Sequence, residues 1–208
     1  MTQTIDQLLS GIQLIPVAVI DDERLAVPLA SALWDAGIRT IEVTLRTQSA
    51  LSAIERIAAL VPDIVVGAGS VIETQQAYAA ANAGAQYIVS PGHTNELLDT
   101  TVLPYLPGAT TASEVMHLRS RGYLFQKFFP AEAMGGLDTL RAIHAPIPDV
   151  RFCPTGGINA SLAPEYIAQD FVFAIGGSWF IDAQSLRIGD LTKVTSTAKS
   201  ALELVSHA

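Results

Sequence analysis

The chain has three lysines, and one of them stands where a lysine is unfavourable. Lys193 and Lys199 fall on the last helical stretch, where solvated lysines are ordinary. Lys127 sits inside the apolar run LFQKFF. A buried, unpaired ammonium loses its hydration, so it must either give up its proton or find a partner. Strand alternation puts Phe125, Lys127 and Phe129 on one face, where two aromatic walls would desolvate the amine. A neutral amine is a nucleophile toward carbonyl carbon. An ordinary lysine is only roughly 0.04% neutral at pH 7, and bringing any lysine to a pKa of ~7 takes about 4.6 kcal/mol from its surroundings. Burial and a nearby cation supply shifts of that order. The plainer reading is a lysine held by a carboxylate for stability.

The segment EVTLRT carries the matching groups. Thr40, Glu42, Thr44 and Arg46 alternate with Ile41, Val43 and Leu45. The apolar set has to pack on helices, so the polar set points the other way, toward the same interior as Lys127. Residues 42 and 46 would be roughly 13 Å apart along an extended backbone, which disfavours a direct Glu42–Arg46 pair. Glu42 suits proton transfer, and Arg46 suits a bidentate grip on a substrate carboxylate.

Three glycine-rich segments, GAGSV (Gly67–Val71), PTGG (Pro154–Gly157) and IGGS (Ile175–Ser178), each read as the turn that ends a strand. Such turns let backbone N–H groups approach an anion closely. The last two follow the seventh and eighth strand candidates, where phosphate sites of barrels are found. A metal-dependent lyase would need clustered imidazoles. His93, His117, His144 and His207 are scattered along the sequence with no HxxxH pair, and only His93 is near these turns, as a solvated helix-start residue. Cys153 alternates inward with Thr155 but has no local partner, and reads as core. No metal ligand set is expected.

These groups need a frame. Eight β-branched runs recur: Ile15–Ile20, Thr40–Leu45, Ile64–Ala68, Tyr87–Val89, Val102–Tyr105, Tyr123–Phe128, Val150–Cys153 and Phe171–Ala174. Their starts are roughly 15–27 residues apart, the size of a strand–helix unit. Helical spacing fills Leu25–Ala36, Ser49–Ala59, Thr74–Ala83, Ser113–Ser120, Leu137–Ile143 and Leu191–Val205, and Gly37, Gly84 and Gly122 follow helices as C-terminal caps. The pattern predicts an α/β fold: one (β/α)8 TIM barrel over residues 1–208, closed below by an extra N-terminal helix, Ile5–Leu9. An open doubly wound sheet competes, but its dinucleotide turn would fall at IDDERLA, which lacks the glycines. The carboxyl ends of the strands collect the glycines, charges and hydroxyls, and catalytic groups of barrels sit there.

With 208 residues, half of them apolar, the chain is long enough for one sizeable core. A net charge of −8 argues against a nucleic-acid partner. No signal peptide or membrane span is read from the sequence, and one cysteine allows no internal disulfide, so a cytoplasmic protein is expected.

Taken in order, EVTLRT, GAGSV, YIVSPG, KFFPAE, PTGGI and GGSWF resemble the 2-keto-3-deoxy-6-phosphogluconate (KDPG)/4-hydroxy-2-oxoglutarate (KHG) aldolase family over nearly the whole chain. The resemblance implies a class I aldolase, a carbon–carbon lyase of Entner–Doudoroff-type carbohydrate metabolism. It implies a homotrimer with a small keto-acid substrate and no metal or organic cofactor. By position, Lys127 resembles the Schiff-base lysine, Glu42 the general acid/base and Arg46 the holder of the pyruvate carboxylate. Ser70, Pro91 and Phe129 would line the pyruvate end, with Thr155 beside the reacting carbons. Ser178 and the amides of Gly156, Gly157, Gly176 and Gly177 would take a distal phosphate. Two positions depart from the family pattern: Ser70 stands where threonine is common, and Ala112 where proline starts a helix. Cleavage of KHG or decarboxylation of oxaloacetate as the main activity, or a phosphate-binding barrel without lyase activity, remain as alternatives.

Overall fold

Among the described residues every strand pairing is parallel, as expected when each strand is followed by a helix that carries the chain back. The computed structural model describes residues 4–100 and 102–206; His207 lies outside them. A six-stranded sheet runs in the order β5 (Tyr105–Leu106), β4 (Tyr87–Val89), β3 (Val65–Gly69), β2 (Thr40–Thr44), β1 (Leu14–Ala18), β9 (Ile175–Gly177). A three-stranded sheet holds β6 (Gly108–Ala109), β7 (Phe125–Phe128) and β8 (Arg151–Pro154). Single bridges at Phe152–Val172 and Thr155–Gly176 connect β8 to the segment that ends in β9. The result is a curled parallel sheet.

The strands are buried on both faces, the outer one against helices and the inner one toward the centre of the curl. All five residues of β2 are buried. Ile41 and Val43 join the main core with Leu29 and Leu33 of α2 (Ala26–Asp35) and Ile54 and Ile57 of α3 (Ala50–Leu60). A second, smaller cluster contains Ile15, Tyr87, Val89, Leu106, Cys153 and Ala174, with Leu9 buried and Ile5 and Leu8 of α1 (Ile5–Leu8) packed against it. Gly37, Gly84 and Gly122 are left-handed, with φ of +95°, +91° and +87°, as the cap reading expects.

Several boundaries differ from the sequence reading. The fifth predicted strand, Val102–Tyr105, starts later and is split into β5 and β6 at Pro107, which has no N–H for the ladder. The eighth, Phe171–Ala174, lies four residues further on: the strand is Ile175–Gly177, so Gly176 and Gly177 form ladder positions opposite Ile15 and Pro16 instead of a turn. Gly67 and Gly69 likewise belong to β3. Gly67 lies inside the expected strand Ile64–Ala68, whereas strand propensity misses Gly69, Gly176 and Gly177 because glycine is depleted in strands, and here it is used for close approach. A Cβ on Gly67 would meet the Tyr87 ring, one on Gly69 the Glu42 side chain, and one on Gly176 the Thr155 hydroxyl. Three helices too short to show a period, α5 (Asn95–Leu98), α8 (Ala163–Ile167) and α9 (Ala183–Arg187), were not anticipated. The remaining helices, α4 (Thr74–Asn82), α6 (Ala112–Ser120), α7 (Gly136–His144) and α10 (Leu191–Ser206), fall within two residues of expectation. Among the described residues no helix is long and apolar enough to cross a membrane.

Candidate active site

At the carboxyl ends of the strands lies a cavity of about 360 Å³. All twelve residues singled out from the sequence line it: Glu42, Arg46, Ser70, Pro91, Lys127, Phe129, Thr155, Gly156, Gly157, Gly176, Gly177 and Ser178. A slightly larger cavity, about 410 Å³, opens near Ile5, Tyr105 and Phe125 and contains no lysine or arginine. Chemistry belongs in the smaller one.

Lys127 is 5% exposed and Glu42 2% exposed, and Lys127 Nζ donates to Glu42 Oε1 at 3.4 Å. The ammonium also lies 5.3 Å from the centre of the Phe129 ring, a cation–π distance. Phe125, the other expected aromatic wall, is not part of the site. It stands at the start of β7, edge-on to Phe173 with ring centres 5.0 Å apart, one pleat repeat below the lysine. Lys127 is held from both sides by register, opposite Gly108 on β6 and Cys153 on β8. Cys153 is buried, its Sγ 3.9 Å from the Thr155 hydroxyl, and burial pushes its thiol up to about 12.

Arg46 reaches the cavity from a turn and not from the strand, because β2 ends at Thr44. The turn is pinned by Leu45 N–H donating to Gly69 O at 2.8 Å and Arg46 N–H to Thr44 O at 2.8 Å. Arg46 is exposed and makes no ion pair among the described residues, so its guanidinium is free for an anion, and no direct Glu42–Arg46 pair forms. Ser70 follows β3 with φ of +57°, the sole non-glycine left-handed residue described.

The turns after β7 and β8 are tied together. Ala131 N–H donates to Thr155 O at 2.8 Å, and Glu132 N–H to Gly156 O at 3.0 Å. Gly156 and Gly157 have φ of +102° and +84°, and a Cβ on Gly157 would collide with Glu132. Behind them the Tyr166 hydroxyl donates to Glu132 Oε1 at 2.5 Å. Phe129 O accepts from Thr110 Oγ1 at 2.6 Å, which fixes the turn that carries Pro130.

Four further residues line the cavity: Val17, Thr44, Ile158 and Trp179. Thr44 was legible as an inward residue of β2, and its hydroxyl donates to Ala18 O at 3.1 Å. Trp179 stands within GGSWF, while Val17 and Ile158 are apolar residues with nothing in their type to mark them. The histidines are less scattered than their sequence positions suggest. His93 and His117 stack with ring centres 5.3 Å apart, and His93 Nδ1–H donates to Gly108 O at 2.8 Å. Among the described residues no group of three or more His, Cys, Asp or Glu is placed to hold a metal ion.

Such a site suits attack on a carbonyl by a buried amine with one carboxylate in reach and an anion held at the mouth. A family model for KDPG and KHG aldolase matches residues 5–197. The KHG/KDPG aldolase of Escherichia coli (strain K12) is 44% identical over 201 residues, covering 95% of this chain and 94% of that protein. Among solved structures, the KDPG aldolase of Legionella pneumophila, with pyruvate captured at low pH as a covalent carbinolamine intermediate, superposes with a TM-score of 0.92 at 38% identity, covering 97% of this chain and 99% of that one. The KDPG aldolase of Zymomonas mobilis ZM4 with 3-phosphoglycerate gives a TM-score of 0.90 at 40% identity, covering 97% and 96%.

Proposed function

The chain belongs to the KDPG and KHG aldolase family, and from that membership we propose that it is a class I aldolase, a carbon–carbon lyase that splits KDPG into pyruvate and glyceraldehyde 3-phosphate and also acts on KHG. The observation that carries the reading is the buried Lys127 amine 3.4 Å from Glu42 in a cavity with Arg46 at its mouth.

The ion pair is poised for the first step: moving one proton from Lys127 to Glu42 leaves a neutral amine and a carboxylic acid. The amine attacks the substrate's 2-keto carbon to give a carbinolamine. Glu42 returns its proton to the departing hydroxyl, water leaves, and an iminium forms. The Glu42 carboxylate then takes the proton of the 4-hydroxyl. The bond between carbons 3 and 4 breaks, its electron pair flows into the iminium, and the aldehyde departs from an enamine. Glu42 protonates carbon 3, and water releases pyruvate and the free lysine. The covalently captured pyruvate of the Legionella pneumophila relative supports this sequence. Arg46 grips the pyruvate carboxylate, with Ser70, Pro91, Phe129 and Thr155 around the reacting carbons. Ser178 and the Gly156, Gly157, Gly176 and Gly177 amides take the distal phosphate; the 3-phosphoglycerate in the Zymomonas mobilis structure supports an anion site of this kind. KHG cleavage is favoured as a second activity by the name of the Escherichia coli relative.

The same reading makes the curled sheet a closed (β/α)8 barrel over the whole chain, with β5 and β6 as one interrupted strand and α1 as its floor. The bridges between β8 and the β9 segment support closure. It also makes the protein a cytoplasmic homotrimer of sugar-acid catabolism, without metal or organic cofactor. Borohydride reduction in the presence of pyruvate, read by peptide mass spectrometry, tests the mechanism. A pyruvyl adduct on Lys127 is expected; no adduct, or one on Lys193 or Lys199 alone, overturns it. In a substrate series, the unphosphorylated sugar acid should be much the poorer substrate.

A further inference from the structure

We infer that Gly69 and Tyr87 are positioning residues that aim Glu42 at Lys127. The inference rests on the reading of Glu42 as the shared acid/base. On the ladder between β2 and β3, Glu42 stands opposite Gly67 and Thr44 opposite Gly69. Both glycines leave an empty side-chain position on the face that Glu42 shares, and the two positions are filled differently.

The lower one, over Gly67, is occupied by the Tyr87 ring: a Cβ at Gly67 would stand 2.3 Å from the ring carbon Cζ. That ring is fully buried and anchored. Thr40 Oγ1 donates to Val65 O at 2.8 Å, so the 2.9 Å contact between Tyr87 Oη and Thr40 Oγ1 has the tyrosine as donor. The upper position, over Gly69, is occupied by Glu42 itself. A Cβ at Gly69 would stand 2.0 Å from Oε1, 2.5 Å from Cγ and 2.6 Å from Cδ. Glu42 therefore leans toward the strand's carboxyl end, over a space one pleat repeat, about 6.6 Å, beyond its ladder partner. The ring closes the way down and the missing side chain opens the way up. At the upper position the carboxylate meets Lys127.

The backbone does not ask for glycine at either site. Neither Gly67 nor Gly69 is among the positive-φ residues, so alanine meets no conformational penalty there. What alanine at 69 meets is the acid/base. Displacing a catalytic group by about 1 Å can cost roughly 100-fold in rate.

Gly69→Ala tests this, with Glu42→Gln as reference. Gly69→Ala should lower kcat about 100-fold, with KM changed by less than about threefold, and should shift the pH–rate profile. It should also slow exchange of the pyruvate methyl protons into D2O, which reports proton transfer at carbon 3. Combined with Glu42→Gln it should add nothing further, because both act on one group. Should Gly69→Ala fail to fold, Gly69→Ala/Glu42→Ala removes the collision and should be as stable as Glu42→Ala alone; a double variant that fails to fold where Glu42→Ala alone folds overturns the inference. Wild-type kcat in Gly69→Ala, or a loss that multiplies unchanged in the Glu42→Gln background, overturns the positioning role while leaving the mechanism standing. A Glu42→Gln variant that turns over at the wild-type rate instead removes the mechanistic reading on which it rests.

Discussion

Lys127 and Glu42 are 85 residues apart in the chain and 3.4 Å apart in the fold, and theirs is the one ion pair among the described residues with both side chains almost wholly buried. The other ion pairs have at least one partner a third or more exposed, where screening leaves them little worth. A buried pair behaves differently. Removing one partner strands the other charge, whereas removing both is often tolerated. Lys127→Met should therefore cost about 3–5 kcal/mol of stability, and Lys127→Met/Glu42→Gln should recover most of it. Urea unfolding of the three proteins checks the cycle. Equal losses in the single and double variants would show that Glu42 is not dependent on the lysine.

Arg46 is exposed, unpaired among the described residues and held by its backbone turn, so the fold does not lean on its charge. Arg46→Ala should raise KM roughly 10–100-fold, the worth of a charged hydrogen-bonded contact. Its melting transition should stay within about 0.5 kcal/mol of wild type. Arg46→Lys should recover only part of the loss, since an ammonium cannot make the two parallel bonds of a guanidinium. Steady-state kinetics beside thermal melts separate the two effects.

Alkaline pH should destabilise the fold. Burial pushes the Cys153 thiol from 9.0 up to about 12, and the Tyr105 phenol from 10.0 up to about 12. Burial first, then the Glu42 charge, raises Tyr87; burial first, then Glu132, raises Tyr166. Each group keeps its proton in the folded chain and loses it in the unfolded one. Their contribution is thus fully present below pH 9.0 and is lost as pH climbs toward about 12. Urea midpoints at about pH 8 and 10.5 should fall in that order, and Cys153→Ala should flatten the slope. A midpoint that does not move would mean these groups ionise freely in the fold.

Ala112 opens α6, where its N–H has no acceptor inside the helix. Thr111 before it is extended, at φ −115° and ψ 157°, the conformation a following proline prefers. Thr111 Oγ1 accepts from Glu114 N–H at 3.3 Å, so the cap does not use residue 112. Ala112→Pro should raise stability by about 0.4–1 kcal/mol by restricting the unfolded chain. A lowered urea midpoint would show that the ring strains the entry to the helix.

How much was legible depended on whether the signal was local. The inward set Thr40, Glu42 and Thr44 followed from alternation, because side chains on a strand change face at every residue. Lys127 stood out because an ammonium in an apolar run has few explanations. Gly69 of GAGSV and the glycines of IGGS read from the sequence as turn residues. Their place inside β3 and β9 depends on what the neighbouring strands press against them, Glu42 in one case and Thr155 in the other. Alternation puts Phe125 on the face of Lys127, but it says which face a side chain takes and not how far along the strand the site extends.

By itself the sequence determined the residue types and the faces: a strand–helix alternation that makes a parallel sheet, one misplaced lysine, and a carboxylate and guanidinium on the same side of β2. Those follow from burial and from the two-residue period of a strand, and both are local. The tertiary structure alone decided the register that sets Glu42 beside Lys127, the split at Pro107, and the stacking of His93 on His117. It also decided that Gly69 is empty because Glu42 fills it. Each of these is a contact between segments far apart in the chain, so its geometry depends on where a neighbouring element comes to rest.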